Sequence, residues 1–290
     1  MLAPRSDSGG ILARNVADIS LAFGALSPQL EDRPPTRDIR VGFYEDDGYF
    51  PASTAIKRAV REAAATLQQL GTTVVDFSPP DVSEALAIFY GLFGADAGAM
   101  WRTQLAGGPI DPRIKDLLTL ASMPNPVRPI AAAVMALRGQ RRLARTLRIT
   151  GRADDARVAE LVNGRDRYRR RFATAMDAAG VDVLLGPPSC VPAFRHGTTR
   201  ELGPASVSYT CLYNLLAYPA GVISTTTVRG EETTSRPRSR EKMLDVARVI
   251  DEGSAGLPIG VQVVARPNRE DQVLAIMQAL EDPSNVRSVV

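Results

Sequence analysis

The chain has 290 residues, 44% of them hydrophobic, which is enough for one large core, and no linker-like stretch divides it. Its 35 basic and 32 acidic residues leave a net charge of only +3, and no aromatic-interleaved basic face or helix-turn-helix pattern is present, so nucleic acid is not an expected partner. Two cysteines and a single histidine exclude a disulfide scaffold and fall short of metal-site spacing, so no metal and no cofactor is expected.

In chain order, residues 1–10 are polar, and no apolar run approaches the ~20 residues that span a bilayer. The expected location is the cytoplasm. The first helix is expected over Val16–Leu26, with Asn15 as N-cap, Val16, Ile19 and Phe23 on one face, and Pro28 as its stop. A strand follows at 39–43, then the polar turn EDDGYFPAS, whose Ser53 caps a helix over 55–70. That helix carries the clearest stripe, Ile56, Ala59, Val60, Ala63, Leu67 and Leu70, and Gly71 ends it before a strand at 74–77. Such a β-α-β unit implies parallel neighbours.

Residues 83–105 are apolar on several sides, with Leu86, Phe89, Tyr90, Phe93 and Trp101, and a helix buried all round is one of two readings of them. From 124 to 152 an apolar helix over 130–137, carrying Ile130, Val134 and Leu137, is followed by Arg138, Arg141, Arg142, Arg145 and Arg148. Two readings fit this pattern: a solvated arginine-rich helix, or a peripheral membrane contact in which arginines meet anionic headgroups. A long helix over Asp155–Ala179 turns Leu161, Tyr168, Phe172 and Met176 to the core and the run Arg165 to Arg171 to solvent. It leads to a buried strand at 181–185, closed by Gly186, Pro187 and Pro188. A helix over 206–216, with Tyr209, Leu212, Tyr213 and Leu216 at helical spacing, precedes a strand at 222–228 and a mobile polar loop at 230–242. A strand at 259–264 and a helix over 270–280 with an Asn268 cap complete the chain. The strands at 181–185, 222–228 and 259–264 read as central ones.

Amide or ester hydrolysis by a Ser-His-Asp arrangement would need His196, the single histidine, and no Gly-x-Ser-x-Gly elbow accompanies it. The run Ser6-Asp7-Ser8-Gly9-Gly10 imitates a serine-bearing glycine loop at a chain terminus. Cys190 and Cys211 lack a neighbouring base and read as packing residues.

The run SYTCLYNLLAYPAGV (208–222), with LARNVADISL (12–21), VGFYEDDGYFPAS (41–53) and GLPIGVQVVA (256–265) in the same order, resembles the closing part of amidase-signature enzymes, and among them the fatty acid amide hydrolase branch. The resemblance implies an α/β fold with a mixed β-sheet flanked by helices, incomplete here, with residues 1–290 forming the C-terminal part of a single domain. It implies that the catalytic lysine and serines lie upstream of the position matched by Gly10, so no catalytic residue is assigned and the isolated chain is expected to be inactive. It also implies that Phe93 and Trp101, with Val207 and Cys211, line a channel for a hydrophobic amide substrate. By the same resemblance Ile130, Val134, Leu137, Arg141, Arg142 and Arg145 fall in a membrane-binding cap. The positions where animal relatives carry a substrate-guiding aromatic pair hold Ser239 and Met243. Expected partners are the amide, an N-terminal amidase half or a second copy of the chain, and a membrane surface. The alternative is a non-catalytic lipid-binding or interaction module derived from an amidase.

Overall fold

The computed structural model describes residues 9–27 and 34–281, so the expected stop at Pro28 and the serines Ser6 and Ser8 lie outside the described residues. Helix α1 (Val16–Leu26) starts as its sequence requires, the Asn15 side chain accepting the Asp18 N–H at 2.7 Å. Strand β1 (Arg40–Phe43), helix α2 (Thr54–Gln69) and strand β2 (Thr73–Asp76) form the expected β-α-β unit, with β1 and β2 parallel. The Ser53 hydroxyl caps α2, and its stripe from Ile56 to Leu67 is buried.

The reading of 83–105 as one helix buried all round does not hold. Two helices, α3 (Val82–Phe93) and α4 (Ala99–Gln104), are separated by a turn in which Ala97 and Gly98 take left-handed backbone angles. The Asp96 carboxylate accepts the Gly98 and Met100 N–H groups, fixing this turn. Helices α5 (Pro112–Ala121), α6 (Arg128–Leu137) and α7 (Arg141–Ile149) follow; α6 and α7 pack as a hairpin over a small core of Ala132, Ala144 and Leu147. Helix α8 (Asp155–Ala179) is capped by Asp154 and buries Leu161, Tyr168, Phe172 and Met176. Its arginine run is only partly solvated, because Arg169 donates to the Leu215 carbonyl at 2.8 Å.

Strand β3 (Val183–Gly186), helices α9 (Thr199–Leu202) and α10 (Ser208–Leu216), strand β4 (Ala220–Thr227), helix α11 (Lys242–Glu252), strand β5 (Pro258–Ala265) and helix α12 (Glu270–Glu281) complete the order. Asn268 has a left-handed φ of 64° two residues before α12. The five strands lie in the order β2-β1-β3-β5-β4, with β1 parallel to β2 and β3, and β5 antiparallel to β3 and β4. This is the mixed sheet flanked by helices. Strands β3 and β5 are central and buried, but β4, expected to be central, is an edge strand among the described residues. On one face of β4 Gly221 and Ile223 are covered, and α12 lies close enough that Met277 touches Gly221; on the other, Val222 is 51% exposed. Alternation along a strand produces this split.

The polar segment after β4 is anchored rather than loose. Arg58 on α2, buried, donates to the Glu232 carboxylate at 2.6 Å and to the Thr227 carbonyl at 2.7 Å. Arg236 donates to Asp251 on α11 at 2.7 Å and to the carbonyls of Pro51 and Cys190. Burial alone would raise the Glu232 carboxyl, but hydrogen bonds from Arg58 and from the Arg229 N–H, with both positive charges, hold it below its ordinary value. A carboxyl lowered in this way stabilises the fold fully above its unfolded pKa, and the contribution fades as pH falls through the folded one. Glu232→Ala is therefore expected to cost about 2 kcal/mol, read by urea denaturation at pH 7, by removing the buried partner of Arg58 and leaving it only the Glu62 carboxylate on its own helix. The difference from wild type should shrink as the pH is lowered below the ordinary carboxylate range.

Candidate active-site face

The polar turn after β1 is held beneath α10 by buried tyrosines. Tyr209 and Tyr213 stand four residues apart on one face of α10, and both are buried. The Tyr209 hydroxyl donates to the Phe50 carbonyl at 2.8 Å and accepts the Asp47 N–H at 3.2 Å, while the Tyr213 and Tyr44 hydroxyls share a hydrogen bond of 2.6 Å. Asp47 folds back on its own turn, Oδ1 accepting the Tyr49 and Phe50 N–H groups, and burial pushes its carboxyl up. Gly186 makes room for the Tyr44 ring: a Cβ there would fall 2.4 Å from Cζ of Tyr44. The Gly-Pro-Pro end of β3 thus allows a close ring approach as well as ending a strand.

Helix α10 packs against α3; of the four expected wall residues Phe93 lies on α3, Trp101 on α4, Cys211 on α10 and Val207 immediately before α10. Phe93, at the end of α3, stacks on Phe89 with centroids 6.0 Å apart and stands 6.4 Å from Trp101 on α4. Phe93 is 54% exposed and Trp101 37%, so this aromatic pair is not core. Val207, at the start of α10, is 37% exposed, whereas Cys211 one turn along is buried close to Tyr90 of α3. Three of the four expected wall residues reach the surface and one lies beneath it.

Neither thiol is activated. Burial pushes Cys190 and Cys211 up to about 12, and Cys190 Sγ donates to the Ala205 carbonyl. His196 is exposed, and among the described residues it is hydrogen-bonded to no serine or carboxylate. Of the positions matching the animal aromatic pair, Met243 is buried, and the Ser239 hydroxyl accepts the Glu241 N–H.

On the α6–α7 hairpin, Ile130 is 68% exposed, Val134 42% and Leu137 90%, and Arg141 and Arg145 are exposed beside them. Arg142 is turned inward. It pairs with Glu241, donates to the Tyr49 carbonyl at 3.2 Å and lies over the Phe50 and Tyr49 rings. Sequence spacing did not separate it from its neighbours, because its partners are about 90 residues away along the chain on either side.

A family model described as Amidase matches residues 2–274. The chain belongs to the amidase family. It is 32% identical over 248 residues to fatty acid amide hydrolase 1 of Caenorhabditis elegans, a match covering 84% of this chain and 43% of that protein. It is 29% identical over 294 residues to fatty-acid amide hydrolase 1 of Sus scrofa, covering 94% of this chain and 50% of the relative. A solved fatty acid amide hydrolase superposes with a TM-score of 0.69 at 21% identity, over 97% of this chain and 48% of that one, and so shares its fold. This amidase-family chain spans about half the length of the curated relatives it matches.

The tyrosine seam sets where α10 lies in this amidase-family fold. Tyr209→Phe removes a donor to the Phe50 carbonyl and an acceptor for the Asp47 N–H without changing the ring, and is expected to lower stability by ~1–3 kcal/mol in chemical denaturation. Asn214→Ala, exposed on the same helix, is the control and should change stability by under ~0.5 kcal/mol.

Proposed function

We propose that this chain is the substrate-side portion of an amidase that hydrolyses a hydrophobic amide, with nucleophile and base supplied by a segment outside these 290 residues. The observation that carries the reading is the match to fatty acid amide hydrolases along nearly the whole chain but over only about half of theirs. Hydrolysis of an amide needs a nucleophile, a base and oxyanion donors acting together. The buried thiols and the unsupported His196 do not supply that set. Phe93, Trp101 and Val207 present apolar surface that suits an acyl chain, while Cys211 is buried. The residues implied for a membrane contact fit it in part: Ile130, Val134 and Leu137 offer apolar area and Arg141 and Arg145 positive charge, while Arg142 serves the interior.

The outer edge of β4, with the bare face at Val222, offers backbone donors and acceptors to a further strand. The occupant proposed is a strand of the N-terminal half of an amidase. The chain alone is then expected to self-associate in size-exclusion chromatography with light scattering, and co-expression with such a half to yield a soluble complex. A monodisperse monomer that binds no hydrophobic dye would count against this pairing.

Purified alone, the chain is expected to release no ammonia from oleamide above background and to take no fluorophosphonate label; the complemented complex should do both. Turnover by the chain alone, abolished by changing one of its own serines, would falsify the reading. Amide binding without turnover in the complex would support the non-catalytic lipid-binding alternative. Sedimentation with anionic vesicles should exceed that with neutral ones, weaken with salt and fall when Arg141 and Arg145 are changed to Glu. Equal sedimentation with both lipids would remove the membrane contact.

A further inference from the structure

From residue 124 to 153 the chain holds seven arginines and no carboxylate. Two of the seven serve the interior. One is Arg142; the other is Arg128, only 3% exposed at the start of α6. All five Arg128 donor positions are used, on the carbonyls of Met123, Leu147, Leu120 and Ala121 and on the Thr150 hydroxyl, and among the described residues no carboxylate pairs with it. Its hydrogen bonds are satisfied but its charge is not, and burial lowers its pKa accordingly.

Directly beside it lies a cavity of about 310 Å³ between α3, the α6–α7 hairpin and the start of α8. Arg128, Arg148, Arg152 and Arg157 line it, and among the described residues no aspartate or glutamate does. Arg157 is neutralised by Glu160 at 2.5 Å. Arg148 and Arg152 are exposed and without ion-pair or hydrogen-bond partners for their guanidinium groups among the described residues. The turn that carries Arg152 is held in place. Asn125 donates to the Arg152 carbonyl at 2.8 Å, and Gly151, at φ 145°, presses so closely that a Cβ would fall 2.6 Å from Asn125 Oδ1 and 2.9 Å from Arg128 Nε.

We infer that this cavity is a binding site for a phosphate group, with Arg148 and Arg152 as its hydrogen-bonding contacts and Arg128 as a fixed positive charge behind them. Three guanidinium charges without a carboxylate partner among the described residues exceed what one carboxylate neutralises and suit a dianionic phosphate, and arginine's planar fork matches its oxygens. The phosphate could come from a small phosphorylated solute or from a lipid headgroup. The inference requires neither amide hydrolysis nor the membrane contact proposed above.

Thermal unfolding of the chain, or of its complex with an N-terminal half if that is the soluble form, tests the site with inorganic phosphate against chloride at matched ionic strength. Phosphate should raise the midpoint progressively with concentration. The concentration giving half the shift should rise at least tenfold in the Arg148→Ala/Arg152→Ala double variant. Both positions are exposed, so the variant is expected to fold. Arg141→Ala/Arg145→Ala should respond as wild type. No advantage of phosphate over chloride, or an undiminished shift in the double variant, would overturn the site. Glycerol 3-phosphate competing with inorganic phosphate marks a solute site. Stronger sedimentation with phosphatidic acid than with phosphatidylglycerol vesicles, lost in the Arg148/Arg152 variant, marks a headgroup site. Because neither arm measures turnover, an inactive chain leaves the inference standing, and loss of phosphate binding leaves the amidase reading standing.

Discussion

The buried tyrosine seam between the turn after β1 and helix α10 is the contact on which the candidate face depends. Tyr44, Tyr209 and Tyr213 bring polar hydroxyls into an apolar core, and each finds a partner there: another tyrosine, a backbone carbonyl or a backbone N–H. A buried polar group without a partner costs free energy, so these bonds specify one placement of α10 among the many that apolar packing alone would tolerate. The helices bearing Phe93, Val207 and Cys211 are packed from that placement. Gly186 is part of the same device, since the Tyr44 ring occupies the space of its missing side chain.

Arginine does two kinds of work in this chain. Arg58, Arg142 and Arg236 reach inward and bind carboxylates or carbonyls from segments far away in sequence, anchoring the stretch after β4, while Arg128 binds nearer carbonyls at the base of the α6–α7 hairpin. A lysine would not serve as well, because the guanidinium offers five donors in a fixed plane. Arg138, Arg141, Arg145, Arg148 and Arg152 instead stand exposed on a stretch without carboxylates. A chain of nearly balanced charge therefore carries a strongly positive region, which the net +3 conceals.

The amino-acid sequence by itself determined the local elements and the family. Capping residues at Asn15 and Ser53, the apolar stripe of α2 and the short apolar runs at the strands are short-range signals, and short-range signals survive without tertiary context. Helix α11 went unread because the Arg-rich, Pro-containing segment before it masked its start. What the sequence left open depended on partners distant in the chain. Phe93 and Trp101 have the composition of a core stripe, and only the break at Ala97 and Gly98 turns them to the surface. Strand β4 is as rich in β-branched residues as a central strand, and only the order of pairing makes it an edge. Arg142 and Arg145 are indistinguishable by spacing, yet one meets Glu241 and the Phe50 ring while the other meets solvent. Periodicity reports which face of an element is apolar; which neighbour covers that face, and which charge finds a partner, is decided only when the chain closes on itself.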